Sequence, residues 1–146
     1  MKAPEKIKLK VNGQNVMVPV KTLKIVSIDK AMRQISSKIA HWGSVLADAE
    51  RERDMANAFY RQWRARQGKE LLDANPKMSE WKINQELNSD SKFIALKEAI
   101  ADAEFNVSVL ARFYEALNKQ AFSLPSIGAR KRKEVESMGI TTKKRK

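Results

Sequence analysis

Near its start the chain alternates apolar and basic residues. Ile7, Leu9 and Val11 interleave with Lys6, Lys8 and Lys10, and Val16, Val18 and Val20 alternate on the return. A period of two marks a half-buried strand. Asn12-Gly13 lies between the runs, and both residue types accept the positive φ of a two-residue turn. Residues 1–26 are therefore predicted to be a β-hairpin extension, with Pro19 placing its second strand at an edge. A lone hairpin is marginal in water, so its apolar face is expected on a helix or on a neighbouring subunit.

The period then changes. From Ile28 the apolar positions follow a 4-3 spacing through Met32, Ile35, Ile39, Trp42, Leu46 and Ala49, then Ala56, Tyr60 and Trp63, broken only by Arg53. Five heptads at this spacing predict a coiled-coil seam on a helix roughly 50 Å long. Ser27 or Asp29 offers the N-cap and Gly68 the C-terminal stop. Gly43 costs about 1 kcal/mol of helix propensity, which marks a close crossing or a kink. Asn75-Pro76 marks a turn, Ser79 caps a short helix over 80–87, and Asn88-Ser89-Asp90-Ser91 closes it and caps the next.

A second seam runs unbroken through Phe93, Leu96, Ile100, Ala103, Val107, Leu110, Tyr114, Leu117 and Ala121. Ile94, Val109 and Phe113 widen the stripe, so a second contact surface is expected, either the hairpin or another subunit. Pro125 and Gly128 are predicted to stop this helix. The expected fold is mainly α: two long heptad helices in an antiparallel αα-hairpin with a short connecting helix, plus the N-terminal β-hairpin. Residues 27–128 form the helical, oligomerising core in this reading, since two helices alone make a thin core.

Charge changes the picture. The formal net charge is +12, from 29 Lys and Arg against 17 Asp and Glu. Half of that surplus lies in residues 130–146, with Arg130, Lys131, Arg132 and Lys133 at its head and Lys143, Lys144, Arg145 and Lys146 at its end. Residues 129–146 are expected to be a basic tail, disordered when unbound. Such a balance points to polyanionic partners, nucleic acid before membrane. No apolar run reaches the length of about 20 residues that spans a bilayer. Residues Met1 to Lys6 lack the apolar region of a signal peptide, and a cytoplasmic protein is expected.

Candidate chemistry is sparse. There is no cysteine, His41 is the one histidine, and no second His or Cys exists to complete a metal site with it. Asp48, Glu50, Glu52 and Asp54 interleave with Arg51 and Arg53, as on a solvated helix face. No phosphate loop or nucleophile elbow is present. No enzymatic activity, metal or cofactor is expected.

The segment Phe59-Tyr60-Arg61-Gln62-Trp63-Arg64-Ala65-Arg66 places three aromatics and three arginines in eight residues. Tyr60 and Trp63 lie on the seam and read as core, or as rings that stack on unpaired bases. Arg61 and Arg64 share a face, Arg66 points away from them, and no acidic set lies four residues earlier to pair them. Phosphate binding is the expected role of these three together with Lys69, and Arg130, Lys131, Arg132 and Lys133 suit counterion-releasing contacts. The Lys6, Lys8 and Lys10 face reads equally as protection of a strand edge.

The order of elements from about Ile28 to Arg130 resembles the UvsY-type recombination mediators of tailed bacteriophages. The likeness rests on Tyr60-Arg61-Gln62-Trp63-Arg64-Ala65-Arg66-Gln67-Gly68, on Leu87-Asn88-Ser89-Asp90-Ser91-Lys92-Phe93, and on Glu115-Ala116-Leu117-Asn118-Lys119-Gln120-Ala121-Phe122-Ser123-Leu124. The resemblance implies a homo-oligomeric ring that binds single-stranded DNA and helps a RecA-type recombinase displace a single-strand-binding protein, in DNA recombination and repair. It maps the family's DNA-contacting basic motif onto Arg61, Arg64 and Arg66, and its assembly region onto Phe122, Leu124 and Ile127, which Phe113 and Leu117 join. The hairpin and the lysine-rich tail depart from the family pattern. The expectation is a non-catalytic mediator. The alternatives are a coiled-coil scaffold, a duplex-binding architectural protein with a basic nucleic-acid-contacting tail, and a nuclear protein using the two basic runs as an import signal.

Overall fold

The computed structural model describes residues 5–20 and 28–137. Strands β1 (Lys6–Val11) and β2 (Gln14–Pro19) are followed by helices α1 (Ile28–Ala74), α2 (Glu80–Asn88) and α3 (Ser91–Ser137). The two long helices pack antiparallel, α2 connects them, and the strands form a two-stranded antiparallel sheet, as the hydrophobic pattern predicts.

The hairpin register pairs Leu9 with Val16 and Ile7 with Val18. Asn12 at φ 51° and Gly13 at φ 73° supply the two positive dihedrals that a twist-matched two-residue turn demands. Alternation then sorts the side chains: Leu9, Val11 and Val18 are buried, whereas Lys6, Lys8, Lys10 and Met17 face out. Val20, expected on the inner face, lies past the end of β2 and is exposed. The open question of where the apolar face goes is answered within the chain. Leu9, Val11 and Val18 form one cluster with Ala49 of α1 and Leu110 of α3, flanked by Trp42, Val45, Val107, Val109 and Phe113. Ala49 is fully buried, and its small side chain lets the sheet approach the helix pair. Two polar contacts fix the hairpin's position. Asn106 donates to the Lys10 carbonyl at 3.0 Å, and the Asn12 amide donates to the Glu52 carboxylate.

The α1–α3 seam is apolar, and no polar or charged side chain is buried among the described residues. Ile100, Ala103, Leu110, Leu117 and Leu124 are buried from α3, against Ala49 and Trp63 from α1. Trp42 meets Phe113 edge-on at 4.8 Å, a pairing that adds about 0.5–1.5 kcal/mol beyond burial. Gly43 is a close crossing: a Cβ there would lie 3.3 Å from Cε2 of Tyr114.

Three predicted boundaries differ. Gly68 does not stop α1, which runs on to Ala74. The glycine instead faces α2, where a Cβ would sit 3.8 Å from Ile83 Cγ2 and 4.0 Å from Leu87 Cδ1. Packing of α2 on this segment outweighs the propensity cost. Pro125 and Gly128 do not stop α3, which continues to Ser137 with Pro125 in its interior and so carries half of the segment read as a disordered tail. Pro125 has no N–H to give the preceding turn, which costs this end one helical bond. Of the two candidate caps of α1, Asp29 lies inside the first turn and Ser27 falls outside the described residues. The connector follows expectation. Ser79 caps α2 through the Lys82 amide at 3.3 Å, and the Asp90 carboxylate accepts from the Lys92 amide at 2.8 Å to start α3.

The two helical glycines give opposite expectations. Gly68→Ala should raise stability by about 0.5–1 kcal/mol in urea denaturation, because its methyl meets only ordinary contacts. Gly43→Ala should gain less or lose, since Tyr114 must give way. Leu110→Ala, at the junction of sheet and both helices, should cost about 2–5 kcal/mol by the same measurement.

Candidate nucleic-acid interface

At 100° per residue, the aromatic and basic segment of α1 wraps around the helix and is divided by the seam. Trp63 points into the core at 9% exposure, so it is a packing residue and offers no face for stacking. Tyr60 and Arg64 lie on one flank of it, Phe59, Gln62 and Arg66 on the other. Arg61 and Lys69 are exposed.

The Tyr60 flank is occupied. Its ring lies 6.1 Å from Phe93, and the Lys97 ammonium sits 4.4 Å above it. Arg64 reaches across to α2, donating to Asn84 Oδ1 at 2.8 Å, Asn88 Oδ1 at 3.1 Å and the Tyr60 hydroxyl at 3.3 Å. Arg61 and Arg64 therefore do not act as one open pair, as their spacing suggested. Arg64 joins α1 to α2 through neutral partners and keeps its charge uncompensated.

The other flank is open. Phe59, Gln62, Trp63, Arg66 and Gln67 of α1 face Lys92 and Leu96 of α3 across a groove of about 430 Å3, with Asp90 at its rim. Phe59 is 55% exposed. Arg66 and Lys92 come from different helices and have no carboxylate partner among the described residues. One Asp90 oxygen is engaged by the α3 cap. An exposed ring beside two cations can stack a base while the cations hold neighbouring phosphates.

The basic end of α3 is a separate cluster. Tyr60 lies beside Phe93 and Trp42 beside Phe113, so α1 begins level with the region of Gly128. Arg130 and Lys133 lie past that point and are exposed. Arg132 is also exposed and donates to the Gly128 carbonyl at 3.3 Å. At 1.5 Å per residue this cluster stands about 60 Å from Lys92. The predicted binding residues thus fall into two sites at opposite ends of the body. The side chain of Lys131 and residues 138–146 lie outside the described residues.

The expected assembly residues also divide. Leu117 and Leu124 are buried at 2% and 1% exposure, and Phe113 is packed on Trp42, so these three belong to the core of their own chain. The heptad pattern marks apolar positions without saying which partner covers them. Phe122, at 85% exposure, remains as an uncovered ring, and the side chain of Ile127 is outside the described residues.

Sequence reasoning missed Asn84 and Asn88 as partners of Arg64, and Lys92 as a wall of the groove. Phe59 and Arg66 are seven residues apart and share a flank, a relation the spacing alone contained. Lys92 is level with them only once the helices are in register. His41 is exposed, edge-on to Trp42 at 5.2 Å, and among the described residues no group of three or more His, Asp or Glu is placed to hold a metal. No helix among them is long and apolar enough to cross a membrane. No family model, curated protein or solved structure matches the chain.

Arg64→Ala should loosen α2 and cost about 1–3 kcal/mol, the scale of hydrogen bonds to a charged group. Arg61→Ala and Arg66→Ala should stay within about 0.5 kcal/mol of the parent in thermal or urea denaturation. A large loss at Arg66 would mean that it is structural.

Proposed function

We propose that the protein is a non-catalytic recombination mediator that binds single-stranded DNA and helps load a RecA-type recombinase onto DNA covered by single-strand-binding protein. The observation that carries the reading is Phe59 standing exposed in one groove with Arg66 and Lys92, cations with no carboxylate partner among the described residues. Phosphates bound by these side chains would release counterions, and a base on Phe59 would add about 1–3 kcal/mol. A duplex keeps its bases stacked and offers the ring nothing, so single strands are preferred.

One such groove is a weak site. Homo-oligomers bring several copies to one strand, and each bound copy raises the effective concentration of the next. Phe122 is the exposed apolar anchor proposed for this assembly. The resemblance to UvsY-type mediators supplies the recombinase and single-strand-binding protein as proposed partners. A coiled-coil scaffold is the competing reading, favoured by Trp81 at 70% and Ile94 at 56% exposure on surfaces away from the groove. The scaffold would hold protein partners without binding DNA.

Fluorescence anisotropy with labelled oligothymidylate and a matched duplex separates the two. The mediator should prefer the single strand, with an affinity that falls steeply as salt rises. Combined Arg61→Ala and Arg66→Ala substitution should weaken binding while leaving helicity intact. Light scattering should find an oligomer that Phe122→Glu disperses. A stable monomer that ignores oligodeoxynucleotides in dilute buffer ends the mediator reading.

A further inference from the structure

The groove at Phe59 does not end there. A second cavity of about 510 Å3 lies between the hairpin and the helix pair, and Lys8, Lys10, Glu52, Ala56, Phe105 and Asn106 are among its lining residues. Glu52, Ala56, Phe59 and Arg66 follow one another on α1 at steps of four, three and seven, so they share one flank. On α3, Lys92, Leu96, Ala99, Ala103 and Asn106 do the same at alternating steps of four and three. The first cavity takes the Arg66–Lys92 end of both stripes and the second takes the Glu52–Asn106 end. The two cavities therefore follow one another along the same pair of stripes, with the small side chains of Ala56 and Ala99 at the near end of the second.

We propose that the two act as one furrow, a single binding site for an unpaired DNA strand, with Lys8, Lys10 and Phe105 as its second half. The proposal rests on the single-stranded-DNA reading above and adds the hairpin to the site. Two exposed rings of these cavities, Phe59 at 55% and Phe105 at 56%, stand outside the core. Each is adjacent to cations: Arg66 and Lys92 at one end, Lys8 and Lys10 at the other. Lys8 and Lys10 project from one face of β1 about 6.8 Å apart. The hairpin is held against the helices by the Asn106–Lys10 and Asn12–Glu52 contacts, so these lysines, on the exposed face of β1, stand at the outer rim of the cavity. The Glu52 carboxylate is engaged by that contact, whereas Asp102 is exposed in the same stretch. From Glu52 to Arg66 the furrow runs about 21 Å along α1. That length suits about four nucleotides, the lower end of single-strand site sizes.

The test compares three proteins with the parent by oligothymidylate anisotropy across a salt series: Lys8→Gln with Lys10→Gln, Phe105→Ala, and Phe59→Ala with Arg66→Ala. Circular dichroism and light scattering are recorded for each. The lysine pair should weaken binding by about tenfold at low salt and flatten the log–log salt slope by about 1.4 for each engaged subunit. Phe105→Ala should weaken binding without changing the slope, which separates stacking from charge. Loss of affinity in the Phe59 and Arg66 variant, with parental affinity in the other two, overturns the hairpin half and leaves the mediator reading standing. Altered light scattering with parental affinity makes the furrow an interface between copies and also overturns the proposal. A parent protein that binds no oligothymidylate removes both the site and the function.

Discussion

The burial of one heptad stripe against another is the interaction on which this structure depends. Neither α1 nor α3 would hold its length alone in water, because a polar-faced helix gains too little from its own hydrogen bonds. Pressed together, they exclude water from a seam with no polar side chain buried in it. That seam sets the axial register, and the register decides which side chains from different helices become neighbours. Arg66 meets Lys92 across a groove, and Gly43 lies under Tyr114, because Trp42 and Phe113 share a level.

The remaining elements sit on opposite sides of this pair. α2 docks where Arg64 and Gly68 face it, and the hairpin docks on the far flank over Ala49 and Leu110. Small residues make both approaches close. The hairpin does more than cover apolar surface: it raises a wall beside the helices and turns a shallow furrow into a lined cavity. The charge surplus is distributed on that frame so that cations outnumber their carboxylate partners. Ion pairs among the described residues join Arg53 with Asp54, Lys82 with Glu86 and Lys119 with Glu115.

Much of the fold was legible in the sequence because it depends on local periodicity. The alternation around Asn12-Gly13 and the 3-4 series from Phe93 to Ala121 each specify an element and the face it buries. Helix ends were less legible. Gly68 and Pro125 carry breaking signals by propensity, but packing against α2 carries one helix past its signal, and α3 runs on as an extension with no helix opposite. The site was read in part. Trp63 and Tyr60 drew attention as aromatics, yet both serve packing, whereas Phe59 and Phe105, which fit no seam, are exposed. Arg64 resembled its neighbours in sequence and differs from them only because Asn84 and Asn88 arrive from a distant turn. Exposure and cross-helix proximity are properties of register, which no single stretch of residues encodes.

The position of Arg64 gives the connector a thermodynamic link to any ligand. Its guanidinium is shared among the Tyr60 hydroxyl and two carboxamides of α2, all of them neutral acceptors that a phosphate outcompetes. Capture of that group by an anion would free the short helix from α1, and the energy of its docking would oppose the capture. By reciprocity, whatever tightens the chain reversal between the long helices weakens the anion's hold. A partner that grips α2 would therefore weaken an anion's hold on Arg64 without touching that side chain.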